Sequence, residues 1–198
     1  MTLAGRADPG TFRGESVRRE LNGILIAVGL MWLVFFIDVL LPIQLTQYGM
    51  VPRTTSGLIG IVTMPFLHAG FGHILNNTVP LVVLLVLLFG SHPHPIRVTA
   101  CLIGLTGVLL WLFGVSRTDV HIGASGLIYA LIAFLIVAGL RQRRPIPIAI
   151  SLLVGLLYGG TLIWGVLPFR DEHISWDGHL LGAVAGGLLA WGTTRRKR

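Results

Sequence analysis

Neutral apolar stretches alternate with short charged clusters along the chain, at residues 21–37, 54–96, 98–116, 120–140, 145–169 and 178–194. A helix crossing a hydrocarbon core of about 30 Å needs about 20 apolar residues, so the pattern predicts six membrane-spanning helices. They are expected over residues 21–41, 72–90, 96–115, 125–140, 147–167 and 178–191, the first stopping at Pro42. Residues 57–67 are also apolar, but too short and too interrupted by Gly57, Gly60 and Pro65 to span. They read as a re-entrant or interfacial piece against the bundle. Residues 1–20 carry no apolar periodicity and read as a short mobile cytoplasmic tail. The chain therefore divides into that tail, a six-helix domain over 21–193 and a basic cytoplasmic tail over 194–198.

Composition agrees with this pattern. The 198 residues are 54% hydrophobic and 12% charged, with a mean hydropathy of +0.81, outside the range of soluble globular domains. The net charge of +7 raises the question of nucleic acid, which the placement of the basic residues answers. With the amino terminus in the cytoplasm, the inner segments hold Arg6, Arg13, Arg18, Arg19, Arg97, Arg141, Arg143, Arg144, Arg195, Arg196, Lys197 and Arg198. Only Arg53, Arg117 and Arg170 fall outside. That distribution obeys the positive-inside rule and puts both termini in the cytoplasm. The basic excess is thus a topology signal and a contact for membrane lipid, and no nucleic-acid partner is expected. Cys101 is alone, so no internal disulfide forms. The first apolar run has no clear cleavage site after it and reads as a retained span.

Few strongly polar side chains fall within the spans. His73, Asn76 and Asn77 open the second, Ser125 and Tyr129 the fourth, and His179 the sixth. These three helices all descend from outside to inside, so their first turns share one depth near the outer face. The fourth, short and pinned at its inner end by arginines, sets Ser125 below the outer surface in a cavity. Singly, each residue has an ordinary reading: Ser125 as a small packing residue, the asparagines as caps or interhelical bonds, His179 as a satisfied interfacial histidine. Gly178, Gly182 and Gly186, spaced by four, form a helix-packing face.

Together the polar residues supply the parts of an acyl-transfer site. Ser125 offers a nucleophile, and His179 a base that takes its proton and returns it to the leaving amine. The small neighbours Gly123, Ala124 and Gly126 let a peptide carbonyl approach. Unpaired backbone N–H groups where the fourth helix starts, that of Ser125 included, can hold an oxyanion, and His73 and Asn77 share a helix face from which to add donors. Tyr129, one turn below Ser125, is placed to pack on the imidazole. Asp177, two residues before His179, points elsewhere on a helix and reads as a cap. His92 and His94 alternate with prolines in a cytoplasmic turn; two histidines make a poor metal site, and no cofactor is expected.

The motifs "HILNN" with His73 and Asn77, "GASG" with Ser125, and "HLLGAVAG" with His179, Gly182 and Gly186, in that order, resemble those of the rhomboid intramembrane serine proteases. The resemblance covers about residues 21–191 and implies a minimal six-helix, all-α membrane bundle of bacterial plasma-membrane type. It further implies a catalytic dyad of Ser125 and His179, oxyanion donors at His73 and Asn77, and Tyr129 stacked on the histidine. Substrates would be transmembrane proteins cut near the outer end of a helix that has partly unwound. Small side chains are expected at the cleavage point, and the fifth helix with the loop 168–177 as gate. The first outer loop departs from the family pattern, with Ile59-Gly60 where many members carry Trp-Arg before the histidine matching His68. The alternative is an inactive rhomboid-like protein that binds transmembrane clients; such relatives typically lack the serine or the histidine, and both are present here. A transporter is disfavoured because no span carries a mid-membrane carboxylate.

Overall fold

The structure, a computed structural model, describes residues 9–115, 119–168 and 175–194. The basic tail at Arg195–Arg198, Arg117 and most of the proposed gate loop lie outside the described residues. What is described is all-helical, with one isolated pair of backbone hydrogen bonds between Met50 and His121 and no strand.

The helices are α1 (Pro9–Leu40), α2 (Gly60–Thr63), α3 (Phe71–Ser91), α4 (Pro95–Phe113), α5 (Ser125–Gln142), α6 (Pro145–Gly165) and α7 (Trp176–Thr193). α1 begins well before residue 21: the segment expected as a tail continues the helix from Pro9, and only Leu21–Leu40 is the apolar part. Residues 57–67 do not span, being broken into α2 and short 3₁₀ turns at Ser56–Leu58 and Met64–Phe66. Pro95 and Pro145 sit in the first turns of α4 and α6, where a missing N–H costs nothing.

Among the described residues, five helices are long and apolar enough to cross a membrane: Leu21–Leu40 of α1, α3, α4, α5 and α6. The sixth expected span, α7, is not among them. Its first turn carries Asp177 and His179, and glycines occupy positions that leucine or valine fill in its neighbours.

α5 is the axis of the bundle. Two thirds of it (67%) is buried, against 11% of α6, so α5 is wrapped by protein whereas α6 turns most of its surface to the lipid. α7 lies along α5, and its glycines explain how closely. A Cβ on Gly182 would run into the carbonyl oxygen of Gly126, and one on Gly186 into that of Ala130. In a bilayer, where apolar side chains gain little by leaving lipid for protein, such backbone approach is what brings dispersion forces into play. Gly178 serves a different contact: a Cβ on it would lie 2.6 Å from Ser175 Oγ and 3.7 Å from a methyl of Leu110 on α4.

The loop between α1 and α2 is stapled to the end of α4 by an arginine and a tryptophan far apart in sequence. Arg53 adopts a left-handed backbone conformation (φ 58°) and donates through a terminal guanidinium nitrogen to Gly114 O at 2.5 Å. Its N–H bonds Trp111 O at 3.0 Å, and the Trp111 indole N–H reaches back to Thr54 O at 2.8 Å. The two bonds from Arg53 satisfy carbonyls left open at the C-terminus of α4 and at its cap, Gly114.

Candidate active site

Three helices bring their first turns together: α3 with His73 and Asn77, α5 with Ser125 and Tyr129, and α7 with His179. Ser125, His73 and His179 are half-buried, and Asn77 is 4% exposed in the bundle. Asn76 points outward and is exposed, which separates two asparagines that the sequence treats alike.

The imidazole of His179 is held on two sides. Its ring lies parallel to that of Tyr129, with centroids 4.1 Å apart and planes 2° apart. Its Nδ1 is 3.0 Å from the carbonyl oxygen of Gly165, at the end of α6. A carbonyl can only accept, so Nδ1 carries the proton and Nε2 is left as a free base. Tyr129 is in turn fixed by donating its hydroxyl to Thr161 O at 2.8 Å. Gly165 has to be glycine, since a Cβ there would collide with the Tyr129 hydroxyl.

Ser125 is the first residue of α5, so its N–H and those following it are the unpaired donors of a helix start. Gly126, next to it, touches α7 at Gly178 and Gly182, the residues that flank His179. Ser125 and His179 thus stand on the first turns of two helices that pack backbone to backbone. No hydrogen bond joins them among the described contacts; such bonds are commonly long in a substrate-free site and tighten on the reacting complex.

Gly123 shows where the third group of side chains points. A Cβ built on it would lie 2.5 Å from His73 Nε2 and 3.6 Å from Asn77 Nδ2. Its φ of +108° is a conformation that side chains resist. Glycine here therefore opens the space into which both nitrogens point, two residues before the serine. Asn77 is held by donating one amide hydrogen to His73 O at 2.9 Å, one helical turn back. The His73 ring packs edge-on against His68, centroids 4.9 Å apart. His68 is 3% exposed with neither ring nitrogen hydrogen-bonded, and burial pushes its pKa down to about 4.

Asp177 is not the cap that its position suggests; Ser175 precedes the first turn of α7 instead. The Asp177 carboxylate accepts N–H groups from Gly178 and, across helices, from Val115, both at 2.9 Å. His121 Nδ1 lies 3.8 Å from it. The sequence reading overlooked His121, Thr161 and Gly165. A histidine four residues before the serine was a visible signal for the first; the other two act through backbone carbonyls and left none.

The Rhomboid domain family model matches residues 55–196. An uncharacterised protein of Mycobacterium tuberculosis is 41% identical over 176 residues, covering 85% of this chain and 72% of the relative. One of Mycobacterium bovis matches to the same extent. A third, from Mycobacterium leprae, is 39% identical over 194 residues, covering 92% of this chain and 76% of its own.

Proposed function

The chain belongs to the rhomboid family, and from that premise we propose that it is an intramembrane serine endopeptidase that cuts the outer ends of substrate transmembrane helices. α7 completes a six-span bundle with both termini in the cytoplasm of a bacterial cell. A substrate helix unwinds at its outer end and presents a peptide carbonyl to Ser125. His179 Nε2 takes the hydroxyl proton as Oγ bonds to the carbonyl carbon. The resulting oxyanion is held by the N–H of Ser125 with His73 and Asn77. His179 then protonates the departing amine, leaving an acyl-enzyme. A water that gives its proton to the same nitrogen hydrolyses the ester and restores Ser125.

One observation carries this reading: the His179 ring, stacked on Tyr129 and bonded through Nδ1 to Gly165, keeps Nε2 unprotonated on the first turn that faces Ser125. The purified chain in detergent is expected to react with a fluorophosphonate probe and to cleave a reference substrate with a helix-destabilised segment. Both activities should be lost in Ser125→Ala and in His179→Ala. Cleavage retained in either variant sinks the assignment, and client binding without labelling or turnover would establish the inactive reading in its place.

A further inference from the structure

A second polar cluster sits outside the proposed dyad, where four outer segments meet. His121 Nδ1 is 2.6 Å from Ser175 Oγ, and Ser175 Oγ donates to Asp177 Oδ1 at 3.2 Å. A hydroxyl has one hydrogen to give. Given to the carboxylate, it leaves Oγ to accept from His121, so the proton of His121 is on Nδ1. Its Nε2 is buried without a partner, and the residue is 7% exposed. Two carboxylates, Asp177 and Asp119, bear on the ring and favour its charged form, but burial outweighs them and keeps it neutral.

The backbone around His121 is tied as well. His121 exchanges both backbone hydrogen bonds with Met50, at 2.8 and 2.9 Å, and Gly123 N–H reaches Met64 O at 2.9 Å. The residues leading into Ser125 therefore form a strap, held on one side by the first outer loop and on the other by Ser175. Asp177 carries the tie on to Val115 at the end of α4.

Resting on the reading of Ser125 and His179 as a dyad, we propose that His121 is a positioning residue that holds the heads of α5 and α7 in register through Ser175. The glycine contacts of Gly182 with Gly126 and of Gly186 with Ala130 fix how closely the two helices approach, and the tie through His121 lies beyond both, at the ends where α5 and α7 start. His121 lies one helical turn's worth of chain before Ser125, and Asp177 two residues before His179. The chain of bonds from His121 through Ser175 to Asp177 restrains the splay that would separate nucleophile from base. His121 touches no reacting atom; it acts through the strap.

The test compares the wild type with His121→Ala, His121→Asn and His121→Gln, counting competent sites by fluorophosphonate titration so that turnover is expressed per active site. His121→Ala is expected to lower kcat per titrated site by roughly tenfold to 100-fold, the scale of an ångström-sized misplacement, with KM moving little. Asparagine sets an amide nitrogen near the place of Nδ1 and should restore most of the rate; glutamine, whose amide reaches the place of Nε2, should not. Unchanged kcat per site in His121→Ala, or equal rescue by the two amides, overturns the proposal. A purely structural role would lower the number of competent sites instead, and overturns it too. If the wild type neither labels nor cleaves, it is the reading of Ser125 that falls. The ¹⁵N spectrum of His121 then decides for the tie if Nδ1 is protonated and against it if Nε2 is.

Discussion

At the scale of single residues, Gly123 and Asn77 separate binding from chemistry. Asn77→Ala removes one donor aimed beside Gly123 and should lower kcat by about 10²- to 10³-fold with KM little changed, as for other lost oxyanion donors. Gly123→Ala adds strain at φ +108° and presses on His73 Nε2, so it should cost at least as much turnover. Steady-state kinetics on one helix-destabilised substrate check both; a rise in KM alone would place these residues in substrate binding. His68 predicts a pH effect on stability. Its pKa falls from 6.5 in the unfolded chain to about 4 in the fold, so below pH 6.5 the unfolded state binds more protons. The stability it contributes is complete above pH 6.5 and is lost as pH falls toward 4. Thermal midpoints in detergent should drop across that window, and drop less in His68→Gln. An equal drop in the variant would clear His68 as the cause.

At the scale of elements, hydropathy and motifs made most of the bundle legible. Five helices stand where apolar runs predicted them, α5 starts at the serine, and residues 57–67 break up as their glycines and proline require. One boundary and one span differ from the expectation for physical reasons. A helix continues past the membrane wherever nothing in the backbone stops it, so α1 begins at Pro9. And α7, glycine-rich because it packs backbone to backbone, reads as less apolar than its neighbours. Helical periodicity puts Tyr129 one turn from Ser125, and its ring lies parallel to that of His179. It gave no hint of the bonds from His179 to Gly165 or from Tyr129 to Thr161, because a carbonyl is present at every residue and only the tertiary packing selects one. The contact of α5 with α7 yields its own prediction. Gly186→Val puts side-chain carbon into the Ala130 carbonyl and should lower the thermal midpoint strongly, whereas Gly187→Val, with open space around it, should leave it nearly unchanged. Equal midpoints would mean that the two helices do not meet as described.

At the scale of the whole molecule, the described helices are tied together at the end of the bundle where α3, α5 and α7 start. The loop between α1 and α2 is bonded to α4 by Arg53 and Trp111, to the strap by Met50, and the strap in turn to the start of α7. α6 stands apart, with 11% of it buried, and meets the site through two carbonyls, those of Thr161 and Gly165. The arginine distribution, with the proposed sixth crossing by α7, predicts the same cytoplasmic side for both termini. Reporter fusions at each end should be active as cytoplasmic fusions and silent as periplasmic ones; opposite results at the two ends would mean that α7 does not cross.

The bond from His179 to Gly165 has an experimental consequence of its own. In a triad the partner that orients the imidazole is a side chain and can be deleted; here it is a peptide oxygen, so an alanine scan is blind to it. Gly165→Ala would report a collision with Tyr129 rather than the loss of an acceptor. Replacing the amide between residues 165 and 166 by an ester, which makes that oxygen a weaker acceptor without adding an atom, would isolate what the carbonyl does.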